Sequence, residues 1–262
     1  MLSPAAALLM AAFTATVAGG DAPRSLAVAA AANLKPALEE LAAAFRQQHP
    51  EADVRATYGA SGLLFTQIAN GAPFDVFLSA DAEYPAQAVA RGLADGDAFT
   101  YALGELVVWV PAGSALDLAR RGLSALSDPG VERIALANPE TAPYGRAARE
   151  ALTQEGLWEL VKPRLVIGQS VAQAANFAAS GNAQAAFLPR SMAAAAPLST
   201  TGRFWTVPDA SHAPIVQAGV VLRSARQPEL ARAFGAFLAS DGARAILARH
   251  GYRPPSAAPQ KR

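Results

Sequence analysis

Four times along this chain a short apolar run hands over, through small or polar residues, to a segment with helical spacing. Residues 25–30 read as a strand buried on both faces. Leu34, Leu38, Leu41 and Phe45 follow at helical intervals, with Asn33 at the join. Residues 53–58 alternate Val54, Ala56 and Tyr58 with polar neighbours. Gly59-Ala60-Ser61-Gly62 then turns the chain into a helix that Asn70-Gly71 ends. A third strand at 134–137 meets a loop dense in turn formers, 138–145, and Ala147, Ala148, Ala151 and Leu152 continue with Tyr144-Gly145 at the helix mouth. The fourth runs from 165–167 through Gly168-Gln169-Ser170-Val171 to a helix with Ala174, Phe177 and Ala178 inward. The first amides of a helix lack internal partners and carry partial positive charge, so each junction is a candidate anion site. The alternative for Asn33 and Ser61 is that they cap their helices and bind nothing.

Strands alternate with helices elsewhere too. Residues 75–79 form a compact apolar strand, and 103–110 a stronger one closed by Pro111. A short helix with a turn fits 124–129, a strand 185–188, and an edge strand 203–207. Residues 215–221 read as a long apolar strand, with Gly219 easing a bend. Leu230, Phe234, Phe237 and Leu238 mark a helix, and Ser240-Asp241 caps the last one, which stops at Gly251. Asp75 reads as a loop tie and Asp81 as a helix cap rather than as catalytic carboxylates. The alternation argues an α/β fold with mixed, mostly parallel sheets. In such sheets ligands bind beyond the carboxyl ends of strands, where the four junctions lie. Two junctions precede residue 103, two follow it, and the last helices return after 215. That order implies two lobes joined by two crossing strands: residues 24–103 with 219–253, and residues 104–218. Residues 254–262 read as a disordered tail.

Composition narrows the functional classes. With 262 residues, 52% of them hydrophobic, the chain can bury one large core or two smaller ones. A net charge of +1 with scattered Lys and Arg gives no basic stripe for nucleic acid. The absence of cysteine excludes disulfides, thiolate metal sites and a lipidated cysteine. His49, His212 and His250 show no metal-ligand spacing. Residues 1–20 carry no charge. Their apolar run, 5–13, is too short to span a bilayer, and Thr16-Val17-Ala18 offers a cleavage signal, so they read as a secretory signal peptide. An uncleaved Ala-rich tail is the alternative reading. No later segment is long and apolar enough to be a membrane span.

On these residues the sequence resembles the molybdate-binding proteins of bacterial ABC transporters, periplasmic solute-binding proteins of type II. The resemblance runs from about Ser25 to Arg253. It is carried by Ala30-Ala31-Ala32-Asn33-Leu34, by Gly59-Ala60-Ser61, and most specifically by the run from Asn70 to Asp81 that contains Gly71-Ala72-Pro73-Phe74-Asp75-Val76-Phe77-Leu78-Ser79. Asn138-Pro139-Glu140, Pro143-Tyr144-Gly145 and the ending Arg249-His250-Gly251-Tyr252 add to it. The resemblance implies the two-lobed periplasmic-binding-protein fold and a monomer in the periplasm. It implies a molybdate or tungstate oxyanion held between the lobes, with delivery to an ABC permease and its ATPase. It implies no cofactor, no direct metal-cation ligand and no catalysis. Carried over by position, Asn33 and Ser61 come from the first lobe, Tyr144 and Val171 from the second, mainly through backbone amides, with Ala32 and Gly62 as weaker candidates. Some members use a tyrosine hydroxyl where this chain has Pro189, which can donate nothing. Tyr144 is the candidate to take over with its own hydroxyl.

Other readings stay open on the residues alone. The oxyanion can be sulfate or thiosulfate, since they make the same donor demands and cavity size is not written in the sequence. Ferric ion needs tyrosine with histidine or carboxylate ligands, and the five tyrosines are dispersed. An α/β hydrolase or transferase needs a nucleophile, a base and an orienting acid, but Ser61 lacks the G-x-S-x-G elbow. The effector domain of a transcription regulator would need a DNA-binding region that the short uncharged N-terminal segment does not supply.

Overall fold

The computed structural model describes residues 24–255; the expected signal peptide and residues 256–262 of the expected tail lie outside them. Strand β1 (Arg24–Ala31) leads through a short 3-10 turn into helix α1 (Lys35–Gln48). Pro36 at the head of α1 presets helical φ and surrenders an N–H that has no partner there. Next come β2 (Ala52–Gly59), α2 (Ser61–Ala69), β3 (Val76–Ser79), α3 (Glu83–Ala90) and β4 (Phe99–Gly104). The chain then crosses to β5 (Leu106–Pro111), the short α4 (Leu118–Arg121), β6 (Ile134–Ala137), α5 (Pro143–Gln154), and the short α6 (Trp158–Val161). β7 (Leu165–Gly168), α7 (Val171–Ala179), β8 (Ala185–Pro189), α8 (Arg190–Ala193), α9 (Leu198–Thr201) and β9 (Gly202–Thr206) complete this half. It returns with β10 (Ile215–Val221), α10 (Pro228–Leu238) and α11 (Asp241–Arg249).

The strands form two five-stranded sheets, ordered β2-β1-β3-β10-β4 and β7-β6-β8-β5-β9. In each, one strand pairs in parallel with two neighbours: β1 with β2 and β3, β6 with β7 and β8. The strands that cross between halves bring the antiparallel pairings: β10 with β3 and β4, β5 with β8 and β9. Parallel and antiparallel pairings are therefore balanced. The parallel ones come from the strand–helix–strand units, where a crossover helix returns the chain in the same direction.

Both faces of each sheet are covered. In β1, Leu26, Val28 and Ala30 pack with Leu38, Leu41, Phe45, Phe234 and Leu247 of α1, α10 and α11, while Ala29 faces Leu64, Phe65 and Ile68 of α2. In β5, Val108 and Val110 face Ala148, Ala151 and Leu152 of α5; Val107 and Trp109 face Ala174 and Ala178 of α7. Period-2 alternation is thus apolar on both sides, which is why the strands read as continuous hydrophobic runs. Asp75 is buried and ties the first half together: its carboxylate accepts the Ala27 and Arg226 N–H groups at 2.6 Å each. Ser240 caps α11 through the Ala243 N–H.

Three expectations change. The run 103–110 is two strands rather than one. It breaks at Glu105, and β4 and β5 belong to different sheets; both are largely buried, so apolar side chains flank the switch on either side of that one charged residue. The boundary expected between 218 and 219 falls inside β10, where Ile215, Val216 and Gln217 already pair with Gly104, Leu103 and Ala102 of the first sheet. Gly219 serves close packing rather than a bend: a Cβ there would lie 2.8 Å from Leu78 and 2.9 Å from the Phe77 carbonyl oxygen.

Candidate functional site

All four junctions open onto one small, nearly closed cavity. The first sheet supplies Asn33 and its neighbours Ala31 and Ala32, then Gly59, Ala60 and Ser61, and Ala80 after β3. The second supplies Ala142, Pro143 and Tyr144 at the head of α5, and Val171 at the head of α7. No charged side chain lines it. The halves touch here: Ala31, Ala32, Ala60 and Ala80 pack in one apolar cluster with Ala142, Tyr144 and Val171. A larger groove behind the crossing strands, bordered by Leu103, His212, Ile215 and Arg253, includes none of the expected site residues.

Ser61 is the first residue of α2, and Ala60 holds the cap position, so the capping alternative does not apply. Ser61 is 1% exposed, and its Oγ accepts the Ala80 N–H at 3.0 Å, which leaves the hydroxyl proton to be donated. Val171 heads α7 and Tyr144 is second in α5 behind Pro143, so their amides are first-turn N–H groups without intrahelical acceptors. Gly145 follows because nothing larger fits: a Cβ there would overlap the Ala137 carbonyl. Ala32, a weaker candidate, also lines the cavity. Gly62 does not line it, and its N–H donates across the cleft to the Thr141 carbonyl oxygen at 2.9 Å.

The side chain of Asn33 departs from expectation. It caps no helix. Its Nδ2 donates to Gln217 Oε1 and to Tyr252 Oη, both at 2.8 Å, so both amide hydrogens are spent inside the protein. Its Oδ1 is buried without a hydrogen-bond partner. The Asn33 carbonyl accepts from Tyr252 Oη at 2.8 Å and from Ser191 Oγ at 3.0 Å, the latter from the opposite half. The Asn33 side chain therefore has no amide hydrogen left for a ligand, and its main-chain N–H is the donor it has to offer. The Tyr144 hydroxyl lies toward the crossing, where a Cβ on Gly104 would overlap it. Burial first, and then Tyr252 and Tyr101 nearby, push its phenol well above the ordinary tyrosine range, so it stays neutral.

Charge sits just outside. Asp81 stands one residue before the cap position of α3, which Ala82 holds; its Oδ1 accepts the Tyr84 N–H at 3.1 Å, while Oδ2 meets Arg146 of α5 across the cleft. Burial works against the Arg146 charge, but Asp81 and Glu83 outweigh it and hold its pKa above the usual value. Glu105, between β4 and β5, receives Arg190 at 2.6 Å and lies 3.6 Å from Arg253. Gln217, Tyr252, Ser191 and Arg146 were not among the expected site residues, although Tyr252 stands in the ending that carries the resemblance. A polar residue inside the apolar strand 215–221 was the one available signal, for Gln217. Among the described residues no group of three or more His, Asp or Glu could hold a metal ion, and no helix is long and apolar enough to cross a membrane.

A family profile described as bacterial extracellular solute-binding protein matches residues 26–253. The chain is 38% identical over 225 residues to the molybdate-binding protein ModA of Rhodobacter capsulatus, covering 86% of each. It is 36% identical to ModA of Azotobacter vinelandii, covering 86% of this chain and 88% of that one. The solved periplasmic molybdate-binding protein of A. vinelandii superposes with a TM-score of 0.82 at 35% identity, covering 88% of this chain and all of that one. A sulfate-binding protein of Mycobacterium tuberculosis, 20% identical with a TM-score of 0.75, shares the fold. With two mixed sheets, helices on both faces and a cleft between them, the chain belongs to the bacterial extracellular solute-binding protein family.

Proposed function

We propose that this protein binds molybdate, and tungstate with it, in the periplasm and delivers the oxyanion to an ABC permease with its ATPase. The observation that carries the reading is the single cavity in which four chain turns begin helices, lined by no charged side chain. A tetrahedral dianion presents only acceptors, and this lining presents donors: the Ser61 hydroxyl and the amides of Asn33, Ser61, Tyr144 and Val171. Hydrogen bonds to a charged partner are the strong ones, so neutral dipoles suffice without a Lys or Arg. Relatives named for molybdate binding, at 36–38% identity over most of the chain, support the same ligand. The protein acts as a binder, not a catalyst, and one ligand touching both lobes favours closure. The lobes are divided at the Gly104–Leu106 crossing and at the loop before Ile215, and the chain works as a monomer.

Hydrogen phosphate brings a proton that needs an acceptor, and no Asp or Glu lines the cavity, so phosphate is rejected. An unmatched buried polar contact costs roughly 1–3 kcal/mol. Sulfate makes the same donor demands and is separated by size. A thermal-shift panel tests the reading, because a ligand that binds only the native state raises apparent stability. Molybdate and tungstate raise the melting temperature, and sulfate and phosphate leave it unchanged. Stabilisation by sulfate alone would reassign the ligand.

A further inference from the structure

Gln217 is the polar side chain in an otherwise apolar strand, and it is 0% exposed. Its Oε1 accepts from Asn33 Nδ2 at 2.8 Å. Its Nε2 donates to the carbonyls of Ala80 and Ile215, each at 3.3 Å. Ala80 in turn gives its N–H to Ser61 Oγ. One side chain is thus bonded directly to the first expected site residue and, through the single residue Ala80, to the second. Gln217 also lies just past the second crossing, where the register of β10 against β4 shifts between Gln217 and Ala218. Such irregularities re-aim a side chain out of the regular pleat. Gln217 Nε2, 2.9 Å from where a Cβ of Gly104 would stand, shares the bare face of that glycine with the Tyr144 hydroxyl from the opposite half.

We propose that Gln217 is the positioning residue of the oxyanion site: it sets Asn33 and, through Ala80, Ser61, and ties both to the crossing strands on which the lobes turn. The inference rests on the oxyanion reading above. A purely structural glutamine would satisfy main-chain carbonyls and leave ligand affinity untouched. A positioning glutamine changes affinity in a protein that is still folded, since partners that orient ligand-holding groups are commonly worth about tenfold or more.

The test compares native protein with Gln217→Met, which keeps the volume and removes both polar atoms. Calorimetry with molybdate is paired with circular dichroism and, in the ligand-free protein, with NMR exchange of the Asn33 side-chain amide. Affinity is expected to fall about tenfold in a folded variant, with faster exchange of the Asn33 amide, which has lost one of its two acceptors. Native affinity in folded Gln217→Met overturns the inference. If that variant does not fold, Gln217→Asn, too short to reach both partners, is judged by the same readings. If the native protein binds neither molybdate nor tungstate, the proposed function falls on its own. The ligand-free arm then decides, and unchanged Asn33 exchange overturns the positioning role.

Discussion

Arg146 reaches across the cleft to Asp81, with Nη2 2.5 Å from Oδ2. Its other nitrogen lies 2.9 Å from Glu83. Arg146 is on α5, whose first residues line the cavity, and Asp81 directly follows Ala80, which lines it from the other side. The pair therefore bridges the halves within two residues of the site. The Arg146 side chain is 33% exposed and that of Asp81 11%, so solvent screens part of the attraction and about 1 kcal/mol is the reasonable scale. Arg146→Met is expected to open the ligand-free protein, measurable as a larger radius of gyration by solution scattering, and to weaken oxyanion binding about fivefold at low salt. The difference from native should narrow as salt is raised. Equal affinities at low salt would show that the bridge has no part in closure.

Replacement of Ser61 by alanine removes a side-chain hydroxyl from the cavity lining. A hydrogen bond to a charged group contributes roughly 1.5–3 kcal/mol, so affinity should drop roughly ten- to hundredfold. The Ala80 N–H also loses its acceptor, which lowers the melting temperature modestly. Calorimetry alongside far-ultraviolet dichroism separates the two effects. An unchanged affinity would remove Ser61 from the site.

Gly104 and Tyr144 form a matched pair at the crossing. A methyl group at 104 would overlap the Tyr144 hydroxyl, so Gly104→Ala is expected to destabilise the protein by about 1–3 kcal/mol in urea denaturation. Adding Tyr144→Phe deletes the obstructing oxygen and should recover part of the loss. A double variant no more stable than Gly104→Ala alone would show that the strain lies elsewhere.

Tyr101, Tyr144 and Tyr252 are all buried, and burial raises the pKa of each. Their phenols are neutral in the folded protein where an unfolded chain, with an ordinary tyrosine pKa near 10, has begun to ionise. The unfolded state then binds fewer protons, so stability falls as pH rises. Stability is expected to hold below about pH 10 and decline above it, as the unfolded-state phenols titrate. Phenolate absorbance from these three should appear together with unfolding, while the partly exposed Tyr58 and Tyr84 ionise in the folded protein. Tyr252→Phe should soften the alkaline decline. Full phenolate absorbance from a still-folded protein would contradict the burial argument.

The junctions were legible because each is local: an apolar run, a small or polar residue and a helical period lie within about a dozen residues. Asp75 was legible for a related reason, as a carboxylate between turn formers and a strand. The side chain of Asn33 was not. Its acceptors, Gln217 and Tyr252, are 184 and 219 residues away, and no periodicity links them to it. The same holds for Ser191, 158 residues from Asn33, and for Arg146, 65 from Asp81. The split of residues 103–110 escaped because largely buried strands lie on both sides of Glu105, and it is the hydrogen-bond partners that change there.

The order of strands has a consequence for how the molecule is made. Every strand of the second sheet comes from one uninterrupted stretch, Leu106 to Thr206. The first sheet places β10 between β3 and β4, so those two share no neighbour until residues 215–221 have left the ribosome. Asp75 waits likewise for Arg226 and Asn33 for Tyr252. One half can settle as it emerges, whereas the other is held open until the chain's last fifth arrives, and the ligand-binding face is the final thing to be assembled.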